Sequence, residues 1–141
     1  MNIYFACSIT GGREFEKVYQ AVTATLLSDG HVVPTAHLAG GDVKKLEAVV
    51  SPRDVFERDI AWIGSCDALV AEVSTPSHGV GYEVAFALSL DKPVLCLYQK
   101  DQLVSKMITG NSMPNISVVP YQGMEQAVQV LRDFLDRVNL L

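Results

Sequence analysis

The chain has 141 residues, 49 % of them apolar and 19 % charged, which suits one domain with its own core and excludes a disordered composition. A formal net charge of −5, with no densely basic stretch, argues against polymeric nucleic acid as a partner. One phosphate needs only a local cluster of donors, and no run of about 18 apolar residues is present to span a bilayer, so neither a leader peptide nor a membrane partner is expected.

In chain order, the pattern alternates short apolar strands with longer helical stretches. "NIYFACS" is an apolar strand followed by a glycine pair. Over residues 14–27, Val18, Ala21, Val22, Thr25 and Leu26 recur at helical spacing. "DGHVVP" predicts a second, shorter strand, and residues 38–50 hold a loop at Gly40 and Gly41. The next helix starts with Ser51 as N-cap, Pro52 at the first helical position and Asp54 in the first turn. Its predicted apolar face is Val55, Phe56, Ile60 and Ile63.

"ALVAEVS" then reads as a strand covered on both faces. "GYEVAFALSLD" predicts a helix beginning at about Tyr82, and "KPVLCLY" a buried strand. "QLVSKMITG" is a short helix, and "NISVVPY" a fifth, edge-like strand limited by Pro120. A closing helix over residues 124–141 places Ala127, Val128, Leu131, Phe134, Leu135 and Val138 on one side. The expectation is a single α/β domain, a doubly wound, five-stranded parallel sheet with helices on both faces, Rossmann- or flavodoxin-like. Ligands of such sheets bind beyond the carboxyl ends of the strands. That rule selects residues 8–13, His37, residues 74–83 and residues 99–105.

Within that set, "SHGVGYE" raises the sharpest question. Gly79 and Gly81 suggest a sharp bend, and Ser8, Thr10, Gly11, Gly12, Ser74, Thr75 and Ser77 supply hydroxyls and amides for a phosphate or sugar. Glu83 would repel phosphate, and its ordinary explanation is an anion at the positive end of a helix. Asp59 could belong to a solvated charged face with Asp54, Glu57 and Arg58. Tyr4 could be an ordinary core aromatic, and His37 either a pocket or a surface residue. Cys7, Cys66 and Cys96 are widely spaced and read as buried hydrophobes in a reducing compartment, so the cytoplasm is the expected location. No cluster has metal-ligand spacing, and neither GxGxxG nor GxSxG is present, so no metal or cofactor is expected.

"IYFACSITGGRE", "FERDIAWIGSCDALVAEVSTPSHGVGYEVAFAL" and "KPVLCLY" together resemble the nucleoside 2-deoxyribosyltransferase superfamily. Within it they are most similar to the 2'-deoxynucleoside 5'-monophosphate N-hydrolases. The specific part is D-x-x-W-[IL]-x-x-[CA]-D followed by A-E-V-[ST]-x-P-S-x-G-V-G-Y-E. The resemblance implies Glu83 as nucleophile at the anomeric carbon, Asp59 in proton transfer to the departing base, and Tyr4 holding Glu83. It implies a 5'-phosphate held by Ser8, the backbone around Gly11 and Gly12, and Ser77; Ile9, Thr10, Arg13, His37, Gly79 and Gly81 complete the expected substrate-binding set. Ser105 and Met107 match a segment that completes a neighbouring subunit's site, which implies a homodimer with a shared active site.

The chain departs from that pattern at Thr10, where the N-hydrolases carry an arginine; either the grip on phosphate weakens or Arg13 compensates. Its loop before Ser105 is also shorter. Ser77 replaces an acidic residue of the transferases, which favours a phosphate-bearing substrate. The expected activity is hydrolysis of the N-glycosidic bond of deoxynucleoside monophosphates to free base and 2-deoxyribose 5-phosphate, through a covalent glycosyl-Glu intermediate. The alternatives are base exchange between nucleosides, a ribonucleotide hydrolase of the CMP type, and a nucleotide sensor without turnover.

Overall fold

A computed structural model describes residues 1–140; the last residue of the expected closing helix, Leu141, lies outside them. The strands are β1 (Ile3–Ala6), β2 (Ala68–Glu72), β3 (Val94–Gln99) and β4 (Ile116–Tyr121). They pair in parallel in the order β1-β2-β3-β4. The helices are α1 (Glu16–Ser28), α2 (Val43–Ala48), α3 (Pro52–Ser65), α4 (His78–Ser89), α5 (Lys106–Thr109) and α6 (Met124–Asn139), with a 3-10 turn over Ala36–Ala39.

The sheet has four strands among the described residues, not the expected five. "DGHVVP" contributes only an isolated parallel bridge between Val32 and Asn2. The Ile3 amide donates to the Val32 carbonyl at 2.8 Å and the Val32 amide to the Met1 carbonyl at 2.9 Å. The next rung would need an amide hydrogen from residue 34, and Pro34 has none. The Phe5 amide turns instead to the Thr35 hydroxyl at 3.0 Å.

That truncated edge still sets the winding. From β1 the chain crosses to Val32 on one side, then returns to pair β2 on the other. Side chains alternate along each strand, so the two faces carry separate cores. Ile3, Phe5 and Val70 pack with Tyr19 and Leu26 of α1 and with Leu131 and Phe134 of α6. Tyr4, Leu69 and Ala71 pack with Ile63 of α3 and with Val80 and Val84 of α4. Each large side chain so buried contributes roughly 1.5–3 kcal/mol. The reversal between β1 and β2 is the switch point at which such sheets open a crevice.

Helix chemistry follows the sequence with two corrections. Ser51 caps α3, its hydroxyl accepting from the Asp54 amide at 3.1 Å, and α6 buries Ala127, Leu131, Phe134 and Leu135. On α3, however, only Ile63 of the expected apolar face is buried. Phe56 is 52 % exposed and meets Tyr82, 55 % exposed, edge-on at 6.2 Å. The second correction concerns α4, which starts at His78 with Ser77 as its N-cap, a turn earlier than expected. Glu83 therefore sits in the second turn, and the helix-dipole explanation loses its footing, since that effect fades beyond the first turn. Among the described residues no helix is long and apolar enough to cross a membrane.

Candidate active site

The crevice begins where β1 and β2 end side by side. β1 carries Tyr4 on the α3/α4 face, and α4 runs across that face with Glu83. Tyr4 is fully buried, and its hydroxyl donates to Glu83 Oε1 at 2.6 Å. Burial pushes the Glu83 carboxyl up to about 7; the Tyr4 hydrogen bond and Arg58 pull it down, and the Asp59 charge pushes it further up. Burial, then the adjacent carboxylate, holds the Tyr4 hydroxyl far above its usual range, so it remains a donor. A half-buried carboxylate with one tyrosine ligand and an ionisation near neutrality is suited to nucleophilic or acid–base work.

The charged run on α3 divides in two. Arg53 and Glu57 pair in solvent, with side chains 85 % and 57 % exposed. Arg58 and Asp59 turn inward, 23 % and 15 % exposed, with Arg58 Nε donating to Asp59 Oδ1 at 2.8 Å. Three residues from three distant segments, Tyr4, Asp59 and Glu83, thus share one electrostatic environment.

The loop after β1 approaches the loop after β2. A Cβ on Gly11 would strike the Pro76 carbonyl oxygen, and Gly12 has φ +134°. Both positions require glycine. Ser8 is fully buried, and its hydroxyl has no partner among the described residues. Ile9 is half-buried beside it. Thr10, Gly11, Pro76, Ser77 and His78 line a cavity of about 230 Å³ at the N-terminus of α4. Amide donors, a helix N-terminus and an orphaned buried hydroxyl suit an anion.

Other expected residues sit differently. Arg13 has no donor to spare: Nε meets Glu16 at 3.1 Å, Nη1 meets the Ser8 and Leu38 carbonyls at 3.1 and 2.9 Å, and Nη2 those of Ala39 and Gly40 at 3.1 and 2.8 Å. It clamps the loops around the crevice. Gly79 and Gly81 lie inside α4, and a Cβ on Gly81 would meet nothing within 4 Å, so no bend depends on them. Ser74 is buried, its hydroxyl donating to Glu72 and accepting from the Gln99 amide at 2.7 Å.

His37 is placed by the 3-10 turn with Nε2 at 3.5 Å from Glu47 Oε1, its ring edge-on to Trp62 at 6.2 Å. Ser105 caps α5 and Met107 is 82 % exposed. Both line a cavity of about 730 Å³ against Val80, Val84 and Leu88 of α4, and Tyr4, Asp59 and Glu83 are not part of its lining. Sequence reasoning missed Arg58, Glu47 and Glu72. The only signal was positional: Arg58 precedes Asp59, and Glu72 is the one charge in an otherwise apolar strand.

The family model described as nucleoside 2-deoxyribosyltransferase matches residues 3–130. The chain belongs to that family. Among relatives of this nucleoside 2-deoxyribosyltransferase family member, a Thermofilum pendens protein named as a 2'-deoxynucleoside 5'-phosphate N-hydrolase is 39 % identical over 137 residues, covering 96 % of this chain and 95 % of the relative. The 5-hydroxymethyl-dUMP N-hydrolase of Danio rerio is 33 % identical over 142 residues and covers 99 % of both chains. The solved structure of the Clostridium botulinum CMP N-glycosidase BcmB superposes with a TM-score of 0.70 at 19 % identity, over 94 % of this chain and 99 % of that one, and shares the fold.

Proposed function

We propose that the protein hydrolyses the N-glycosidic bond of 2'-deoxynucleoside 5'-monophosphates, releasing the free base and 2-deoxyribose 5-phosphate. The observation that carries this reading is the 2.6 Å contact of Tyr4 with a half-buried Glu83, beside Asp59 and on the same helix whose N-terminus lines an anion-suited cavity. The N-hydrolase names of relatives at 33–41 % identity support it.

In the proposed first step, an ionised Glu83 oxygen bonds to the anomeric carbon as the C–N bond breaks. The bonding pair goes to the base nitrogen, and Asp59 delivers a proton to the departing base. In the second step water attacks the same carbon, its proton passes to Asp59, and Glu83 leaves as a carboxylate. The carboxylate stabilises the cation-like sugar, and the proton avoids expulsion of an anionic base. Tyr4 fixes Glu83 Oε1 and leaves Oε2 for the sugar. Ser8, the amides around Thr10 to Gly12 and the α4 N-terminus with Ser77 hold the phosphate; Arg13 acts by shaping the loop.

A homodimer completes the proposal. Exposed Leu103 and Met107, together with exposed Phe56 and Tyr82, are large apolar side chains in search of cover. Since Ser105 and Met107 line a cavity apart from their own Glu83, they are available to a second subunit.

The test incubates purified protein with dGMP, dAMP, dCMP, CMP and the free nucleosides and measures released base. Release from the deoxynucleotides without an acceptor base is expected. A strict requirement for a second base replaces hydrolysis with transfer, preference for CMP replaces the deoxy sugar, and no turnover leaves a sensor. Light scattering showing a fully active monomer removes the shared site.

A further inference from the structure

One cation is held among the acids of this crevice, and its bonds are unusually complete. Arg58 Nη1 and Nη2 donate to the two oxygens of Glu47 at 3.0 and 3.1 Å, while Nε donates to Asp59 Oδ1 at 2.8 Å. The guanidinium also lies over the Trp62 ring, 4.9 Å from its centre. Glu47 belongs to α2 and is 15 % exposed, as is Asp59. A planar fork bound on two edges and stacked on a third side has one orientation.

We propose that Arg58 is a positioning residue whose single charge is divided between Glu47 and Asp59, so that α2 tunes the acid–base pair of Asp59 and Glu83. The inference rests on the N-hydrolase reading for its catalytic meaning and on the geometry alone for its electrostatic one.

The reasoning starts from what Arg58 would do without Glu47. Freed on the Glu47 edge, the guanidinium could turn a bidentate fork onto Asp59 and engage both of its oxygens. Glu47 takes the bidentate face, so Asp59 receives a single hydrogen bond at Oδ1. Oδ2 then accepts none from any side chain among the described residues and stays available for a proton. The same cation acts at longer range. The charged and titratable groups that act on Glu83 are Tyr4 from β1 and Asp59 and Arg58 from α3; the Tyr4 hydrogen bond and the Arg58 charge favour its ionised form, and Arg58 is the one cation among them. Glu47, burial notwithstanding, is held below the usual carboxylate range by Arg58, so it remains an anion that offsets part of that field.

Two charge-removing changes should therefore move Glu83 in opposite directions. Arg58→Gln removes the cation and raises the Glu83 midpoint above about 7; Glu47→Gln removes the offsetting anion and lowers it. Each shift is expected at about half to one pH unit. The measurement is a carboxyl ¹³C NMR titration of Glu83 in the full-length protein, beside the pH dependence of kcat/KM for base release from a deoxynucleoside monophosphate. The acid limb of kcat/KM, which requires ionised Glu83, should follow the NMR midpoint upward in Arg58→Gln and downward in Glu47→Gln. Arg58→Lys keeps the charge but not the fork: the midpoint stays near wild type while kcat falls about tenfold.

Loss of stability without opposed shifts, or midpoints unmoved in both glutamine variants, overturns the proposal. Should Arg58→Gln fail to fold, Glu47→Gln with an unmoved or raised midpoint does so alone. A wild-type protein that releases no base overturns the N-hydrolase reading instead, and the NMR titration still decides the role of Arg58.

Discussion

Two carboxylates, the buried Glu72 and the half-buried Glu83, sit at the carboxyl end of the same sheet on opposite faces, and each accepts a hydrogen bond from a tyrosine. Burial pushes both upward in pKa. Glu72 is fully enclosed, bonded to the Ser74 hydroxyl and to the Tyr121 hydroxyl at 3.0 Å, with the Ser74 amide at 3.4 Å from each oxygen. It ties the end of β2 to β4 and, through Ser74 and the Gln99 amide, to β3. Glu83 has one tyrosine, at 2.6 Å, and Asp59 beside it. A carboxyl whose bonding capacity is filled by its own fold is architecture. One left half-buried and partly unfilled has capacity for a substrate.

The sharpest way to break this contrast is Glu83→Gln. Base release should fall at least about a thousandfold, while the protein gains stability at alkaline pH. The sign follows from linkage: with a folded-state value near 7 against an ordinary 4.5, Glu83 contributes no cost below pH 4.5, and its cost grows until pH passes 7. Melting curves should show the variant roughly 3 kcal/mol more stable at pH 8 and equal at pH 4. A stability loss at pH 8 would place Glu83 with Glu72 as architecture.

Glu72→Ala should do the reverse, costing about 2–4 kcal/mol in denaturant unfolding by stranding the Ser74 and Tyr121 hydroxyls. Glu72→Gln should cost less than about 1 kcal/mol, because the amide oxygen still accepts. Tyr4→Phe removes the bond that favours ionised Glu83; kcat/KM at pH 7 should drop about tenfold and its acid limb should move upward. The smallest effect belongs to Tyr121→Phe, about 1 kcal/mol of stability with the pH profile of turnover unmoved. Equal responses of the two tyrosine variants in the pH profile would erase the distinction.

Much of the fold was legible because it depends on local patterns. Apolar runs at Ile3–Ala6, Ala68–Glu72 and Val94–Gln99 and the helical spacing of α1 and α6 identified both layers. The expected strand that does not form and the early start of α4 share one cause. Each turns on which hydrogen-bond partner a single residue finds: Thr35 replacing a rung beyond Pro34, and the Ser77 hydroxyl accepting from the Val80 amide at 3.3 Å. The site was legible in its residue types and not in its allegiances. Arg13 and Arg58 look alike as cations near an expected pocket. One is consumed by four carbonyls and Glu16, the other by Glu47 and Asp59.

By itself, then, the sequence determined a parallel α/β sheet and the residue types gathered beyond its carboxyl edge, because periodicity and turn chemistry act over a few residues. Tertiary structure alone decided which carboxylate stays open and which is sealed. Tyr4 and Glu83 are 79 residues apart, and Glu72 and Tyr121 are 49 apart. Solvation and hydrogen bonding at such separations arise only when the strands and helices have closed around them.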